Sequence, residues 1–362
     1  MAAEPTPYAS WAERLLAAHP PREALALTVA GHTIEVRTNA PPLLDLLRDY
    51  FRDFPAATTS PDVEVVALEC PPPAYEFDFT PYPPGPGKTR IKDEYADFPD
   101  GRVVRKRLTQ MSFFFGGRHN LAVGPCLANS NQVVNFVNNR FIQWHLDRDW
   151  LLCHAAGVAS SGRGLLLAGL PGRGKSTLAL HLLSRGLDFV SNDRLLIKRA
   201  GDGVAMRGVA KLPRVNPGTI LNNPQLLAML GEEQRRRYLA LEADALWNLE
   251  EKYDADVSRC FGPGRFPAQA DLSAVVILAW ERGAGGTRFG RVDLATREDL
   301  LAALIKPPGA HYYVPPGRSA PDLSVQAYLT CLAGCPVYAV EGGLDFALAS
   351  AECERLVNGR AR

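Results

Sequence analysis

The stretch Gly169-Leu170-Pro171-Gly172-Arg173-Gly174-Lys175-Ser176-Thr177 constrains this chain more than any other. It fits the pattern G-x-x-x-x-G-K-[ST] and lies between two segments of opposite character. Before it, Gly164-Leu165-Leu166-Leu167-Ala168 is a short apolar run, as expected of a strand buried on both faces. After it, Thr177 to Arg185 has apolar residues at helical spacing and stops at Gly186, which suits the left-handed position past a helix end. Strand, glycine-rich loop and helix in that order predict an α/β domain with an anion cradle at the loop. Gly169, Gly172 and Gly174 allow the backbone to turn successive N–H groups inward. The helix N-terminus adds roughly half a positive charge facing a bound phosphate. Lys175 can reach the β- and γ-phosphates of a nucleotide as a point charge, and the Ser176 hydroxyl is placed to ligate Mg²⁺. With Arg173 and Thr177 these residues form the expected binding segment for ATP.

The residues beyond the helix suggest partners for that loop. Leu187 to Val190 reads as a second strand that ends in Ser191-Asn192-Asp193-Arg194. A carboxylate at the C-terminal end of a neighbouring parallel strand lies close to the ligand site of an open α/β sheet. Asp193 is therefore the expected partner of Mg²⁺, or a base toward an incoming hydroxyl. Upstream, Cys153-His154 ends another expected strand, Trp150-Leu151-Leu152. By itself His154 reads as a core or edge histidine. Downstream, Met206-Arg207-Gly208-Val209-Ala210-Lys211 sets two cations beside a glycine, ordinary loop composition when taken alone.

Taken together these segments resemble the HPr kinase/phosphorylase family, whose kinase domain also looks like phosphoenolpyruvate carboxykinase. His154 stands fifteen residues before Gly169, where the family carries a His-Gly pair; Ala155 replaces that Gly. The family loop G-x-S-G-x-G-K-S is matched by Gly169 to Ser176, with Pro171 for Ser. The family's R-G-H-x-x-V-x-D-D-R is matched by Arg185 to Arg194, and its R-G-L-G by Arg207 to Ala210. The likeness covers roughly residues 150 to 220 and is nearest to the subgroup termed HprK-related kinase B. It implies a P-loop kinase domain of that type and transfer of the ATP γ-phosphoryl group to a hydroxyl, a protein serine among the candidates. It also implies that Ser176 and Asp193 hold the metal, that Lys175 neutralises the transferred group, and that His154 lies on the acceptor side.

Two positions depart from the family. The first of its paired aspartates, the base, is Asn192 here, and an amide cannot accept a proton. Asp193 or His154 must take that role, or transfer proceeds by positioning alone, which the loose transition state of phosphoryl transfer tolerates. The acidic residue two before the R-G is Ala205. These departures favour an alternative, an ATP-binding regulatory or assembly protein that transfers nothing; a carboxykinase-like metabolic enzyme is a separate alternative.

The rest of the chain sets limits on the setting. At 362 residues it is long enough for two domains, and 40 Lys+Arg against 39 Asp+Glu give no electrostatic reason to expect nucleic acid as partner. No run approaches the ~20 apolar residues of a membrane span. Met1 to His19 lacks the apolar core of a secretion signal, and the seven cysteines are scattered, so a reducing cytoplasm is expected. Cys331 and Cys335 read as core thiols. The expected partners are ATP, an unidentified acceptor and further copies of the chain.

Residues 1–140 read as a mixed α/β domain of unknown role, and 141–362 as the P-loop domain. In the first, Ala24 to Arg37 predicts a hairpin, Pro41 to Phe54 a helix and Asp62 to Cys70 a strand. Arg102 to Phe115 and Arg118 to Val123 predict a further hairpin about Gly116-Gly117. Pro71 to Lys88 carries seven prolines and reads as a semi-rigid surface linker rather than a recognition loop. Asn131 to Leu146 has an amphipathic helical pattern. Arg235-Arg236-Arg237 reads as a solvated helix face. In the second domain Ala274 to Trp280 and Pro336 to Val340 predict strands, and Arg297 to Ile305 and Asp345 to Leu356 helices. Gly262-Pro263-Gly264-Arg265 reads as a lid or as a surface connection.

Overall fold

The computed structural model describes residues 8–56, 60–85, 89–249, 251–343 and 345–359. Residues 1–7 of the polar N-terminal segment, 86–88 of the proline-rich stretch and 250 lie outside them. The protein is mixed α/β with more than one sheet. It divides into two units, Met1–Arg148 with Pro308–Pro321, and Asp149–Pro307 with Asp322–Arg362. The sequence suggests a boundary at 140/141, which falls inside the helix Ser130–Leu146. That helix runs on because Val133, Val137, Phe141 and Leu146 keep one face buried, and the units part only at 148/149.

The first unit is built on an eight-stranded sheet among the described residues. Its strands Glu23–Val29 and His32–Thr38 form the expected hairpin, with φ of 48° at Ala30 and 79° at Gly31. Two adjacent residues at positive φ match the right-handed twist of the strands they join. The stretch Arg102 to Phe115, expected as one strand, is two: Gly101–Lys106 and Ser112–Phe115 pair antiparallel about a turn at 107–111, where Gln110 has φ of 56°. Pro71 to Lys88 is not a linker where it is described. Tyr75, Phe77 and Phe79, every second residue, are partly buried and face one cluster, with ring centroids 5.7 Å for Trp11–Tyr75 and 5.0 Å for Phe77–Phe98. Every second residue therefore anchors the segment while the prolines keep it irregular. Residues 308–321 belong to this unit: Arg102 donates to the Ala310 and Tyr312 carbonyls at 3.2 and 3.1 Å, and the Tyr313 hydroxyl to the Phe98 carbonyl at 2.8 Å.

The second unit is organised by three parallel strands. Arg163–Gly169 pairs with Gln269–Leu278, which pairs with Val337–Glu341, and the registers bring Gly169 opposite Leu278 and Leu278 opposite Val340. All three strands therefore end at one sheet edge, and the segments after them leave from that edge. The inner stretches are buried because both faces are covered, by the helices Lys175–Ser184 and Phe346–Val357 on one and by Leu300, Leu301, Leu304 and Tyr328 on the other. Arg297 to Ile305, expected as an α-helix, is the 3₁₀ helix Glu298–Ala303. Cys331 is buried in this core, with Cys335 packed against it.

One topological expectation is corrected. Asp188–Ser191 is parallel to Arg163–Gly169 but is not its neighbour: Ala155–Ser160 lies between them and is antiparallel to both. Leu151–Cys153 sits elsewhere in the sheet, paired with Leu195–Ala200. His154 is thus the single residue between two strands that run in the same direction and pair with different partners.

Candidate functional site

The loop after Arg163–Gly169 has the conformation its glycines require. Gly172 and Gly174 have φ of 80° and 78°, values that side chains other than glycine rarely adopt. A Cβ on Gly174 would come within 2.9 Å of Phe346 Cζ, so the position is closed sterically as well. The helix Lys175–Ser184 begins directly at the lysine, which sets that helix's N-terminal amides at the loop.

Lys175 is buried and its Nζ donates to the Gly169 carbonyl at 2.7 Å. Burial lowers its pKa to about 8; Asp193 opposes that shift, and Lys306 and Lys252 add to it. Ser176 Oγ donates to Asn192 Oδ1 at 2.8 Å, and the Thr177 and Thr219 hydroxyls lie 2.9 Å apart. Arg173 is tied sideways to Trp280: its guanidinium donates to the Trp280 carbonyl, and Trp280 Nε1 donates to the Arg173 carbonyl at 2.9 Å. Of the expected binding segment, Gly169, Gly172, Gly174, Lys175, Ser176 and Thr177 surround the loop mouth, whereas the Arg173 side chain braces a neighbouring strand end.

Asp193 and His154 meet. His154 Nε2 lies 3.0 Å from Asp193 Oδ1, and Lys306 Nζ lies 3.3 Å from Asp193 Oδ2. Asp193 has φ of 65°, a left-handed conformation that an aspartate tolerates better than most residues. Burial would raise its pKa, but the His154 hydrogen bond and the Lys306, His154 and Arg194 charges outweigh it and hold the carboxyl well below the usual range. Burial lowers the Lys211 pKa to about 8; Arg194 and Arg214 add to the shift, and Asp254 and Asp193 oppose it. The site is cationic overall, with one firmly ionised carboxylate at its centre.

The Arg207-Gly208 segment is pressed against the strand that ends at Ser191. A Cβ on Gly208 would stand 1.8 Å from the Val190 carbonyl oxygen, so only glycine fits. The Gly208 amide donates to the Ala268 carbonyl at 2.8 Å, and the Val209 amide to Ser191 Oγ at 3.3 Å. Arg207 itself lies over the Trp150 ring, 4.5 Å from its centroid. The Gly262 to Arg265 segment is fastened: Arg265 Nε donates to Asp188 Oδ1 at 2.7 Å and its guanidinium also holds the Leu187 carbonyl.

Sequence reasoning missed Lys306. It is placed by a bridge between Cys153 and Ile305, and its amide donates to the Leu152 carbonyl at 3.1 Å. That pairing spans distant segments and leaves no local pattern. Lys252 also lacked a signal, and Asn192 reads as a lost base although it is the partner of Ser176.

The donor set around Ser176 is a hydroxyl, an amide oxygen and a nearby carboxylate, the oxygen chemistry that Mg²⁺ takes. Among the described residues no group of three or more His, Cys, Asp or Glu side chains could hold a metal by itself. Any Mg²⁺ here would need phosphate oxygens or water as further ligands. No helix among those residues is long and apolar enough to cross a membrane.

No protein-family model matches the chain, and it has no match among curated proteins. Among solved structures it is similar to the HPr(Ser) kinase/phosphatase from Coxiella burnetii, at 13% identity with a TM-score of 0.28. The alignment covers 57% of this chain and 94% of that one.

Proposed function

We propose that this protein is an ATP-dependent phosphotransferase that moves the γ-phosphoryl group to a hydroxyl acceptor, a protein serine among the candidates. The observation that carries this reading is the meeting, at one end of the second unit's sheet, of the glycine loop and Lys175 with the Asp193–His154 pair. In this reading the loop amides and Lys175 hold the triphosphate, and Ser176 and Asp193 hold Mg²⁺. Mg²⁺ held by those two residues would offset the charge that develops during transfer. Asp193 stays ionised and accepts from His154 Nε2, which fixes the tautomer and leaves Nδ1 as the proton acceptor. The acceptor's O–H proton passes to His154, its oxygen bonds to the γ-phosphorus, and the bond to the ADP oxygen breaks. Asp193 is too weak a base to take that proton itself. Lys306 keeps the Asp193 carboxylate ionised beside the ring.

One observation favours a second reading, a nucleotide-binding protein that transfers nothing. Ser176 is engaged by the Asn192 amide, which stands where a base would otherwise lie. The two readings part in a labelling experiment with purified protein, Mg²⁺, γ-labelled ATP and cell extract. Label moving to a macromolecule, and lost in Lys175→Ala, supports transfer; ATP bound tightly with no label moved to protein or small molecule overturns it.

A further inference from the structure

The glycine-rich segment 283–286 and the Gly342-Gly343 pair are not used by the loop or by the Asp193 cluster. They follow the strand Gln269–Leu278, which ends beside Gly169, and its parallel neighbour Val337–Glu341. The two segments touch backbone to backbone. A Cβ on Gly342 would meet the Gly286 carbonyl at 2.4 Å, and one on Gly343 the Ala284 and Gly285 carbonyls at 2.8 Å. The Gly343 amide donates to the Gly285 carbonyl at 2.5 Å, so this contact is a hydrogen-bonded wall.

That wall bounds a cavity of about 640 Å³ that Trp247, Trp280 and Phe346 also line. Its volume lies within the ~300–1,000 Å³ of small-molecule sites. Two of the three aromatic residues also touch the loop: Trp280 through its hydrogen bond to Arg173, and Phe346 through its contact at Gly174. The third, Trp247, keeps 47% of its surface exposed, unusual for so large an apolar side chain. It is nevertheless held in place. Its ring packs edge-to-face with Trp280 at 6.2 Å, and Arg282, paired with Asp244, lies 5.1 Å from its centroid.

The charge of the lining decides what can enter. Arg282 is already paired, Glu281 and Asp345 are acidic, and the Asp345 carboxylate caps the helix Phe346–Val357 by accepting from the Ala347 amide at 2.8 Å. Such a cavity suits a neutral, flat ring rather than a second anion. We infer that it takes the base of the nucleotide whose triphosphate lies on the 169–177 loop, stacked on Trp247. This rests on the phosphate-loop reading above.

The test compares Mg-ATP with Mg-tripolyphosphate, which has the phosphates and no base, binding to the full chain by calorimetry. Trp247→Ala should weaken ATP by roughly tenfold or more, the scale of one base–aromatic stack, and leave tripolyphosphate unchanged. Trp247→Phe should recover most of the loss, and the thermal midpoints of both variants should match the parent. If Trp247→Ala leaves ATP unaffected, or weakens both ligands alike, the inference is overturned while the phosphate loop stands. If Lys175→Ala retains full affinity for tripolyphosphate, or the parent binds neither ligand, the loop reading fails and takes this inference with it.

Discussion

Lys306 Nζ lies 3.3 Å from Asp193 Oδ2, across 113 positions of sequence. With His154 on the other carboxylate oxygen, this contact makes Asp193 a fixed negative charge rather than a proton acceptor. Replacing Lys306 by Met should therefore cut phosphotransfer by about tenfold or more. The check is the steady-state rate: transfer by Lys306→Met equal to the parent's would remove Lys306 from the role.

Lys175 predicts a change on the alkaline side. Burial lowers its pKa to about 8, so in the free protein the ammonium is lost as pH rises through that value. Affinity for tripolyphosphate should fall above about pH 8, by up to roughly tenfold per pH unit. The folded pKa lies below the unfolded one, so stability should rise over the same interval, from about 8 toward 10.5. Lys211 also titrates near 8. The binding trend should therefore survive in Lys211→Met and vanish in Lys175→Met.

Gly208→Ala should damage the second unit, because its new Cβ would stand 1.8 Å from the Val190 carbonyl oxygen. The chain must separate there, at about 3 kcal/mol or more. A fall of roughly 5–10 °C in the thermal midpoint is the expected reading. A midpoint within a degree of the parent would show that the segment is free to move.

The proline-rich stretch gives a test in the first unit. Phe77→Ala removes a ring packed against Trp11 and Phe98, and should destabilise by about 2 kcal/mol. Limited proteolysis should then cut between 71 and 85 at a protease concentration that spares the parent.

The order of strand, glycine loop and helix at 163–184 was legible because everything it needs is contiguous: an apolar strand, glycines at turn positions and a helix that starts at Lys175. The partners of that segment were only partly legible. Asp193 could be read as a strand-end carboxylate, but its strand is separated from the loop strand by Ala155–Ser160, an order that local pattern does not encode. Lys306 was invisible because a single bridge at Cys153–Ile305 places it. The proline-rich stretch was misread because Trp11, Phe98 and Phe114, which give its aromatics a surface, lie far away in sequence. Composition speaks of the segment alone, and packing speaks of its partners.

Because Pro308–Pro321 belongs with the first unit while the residues on either side belong with the second, neither unit is encoded by one uninterrupted stretch of the gene. A single recombination breakpoint cannot hand either one intact to another protein. Any attempt to express residues 149–362 alone carries a stranded piece of the companion unit, with Tyr312 and Tyr313 deprived of the surface they pack on.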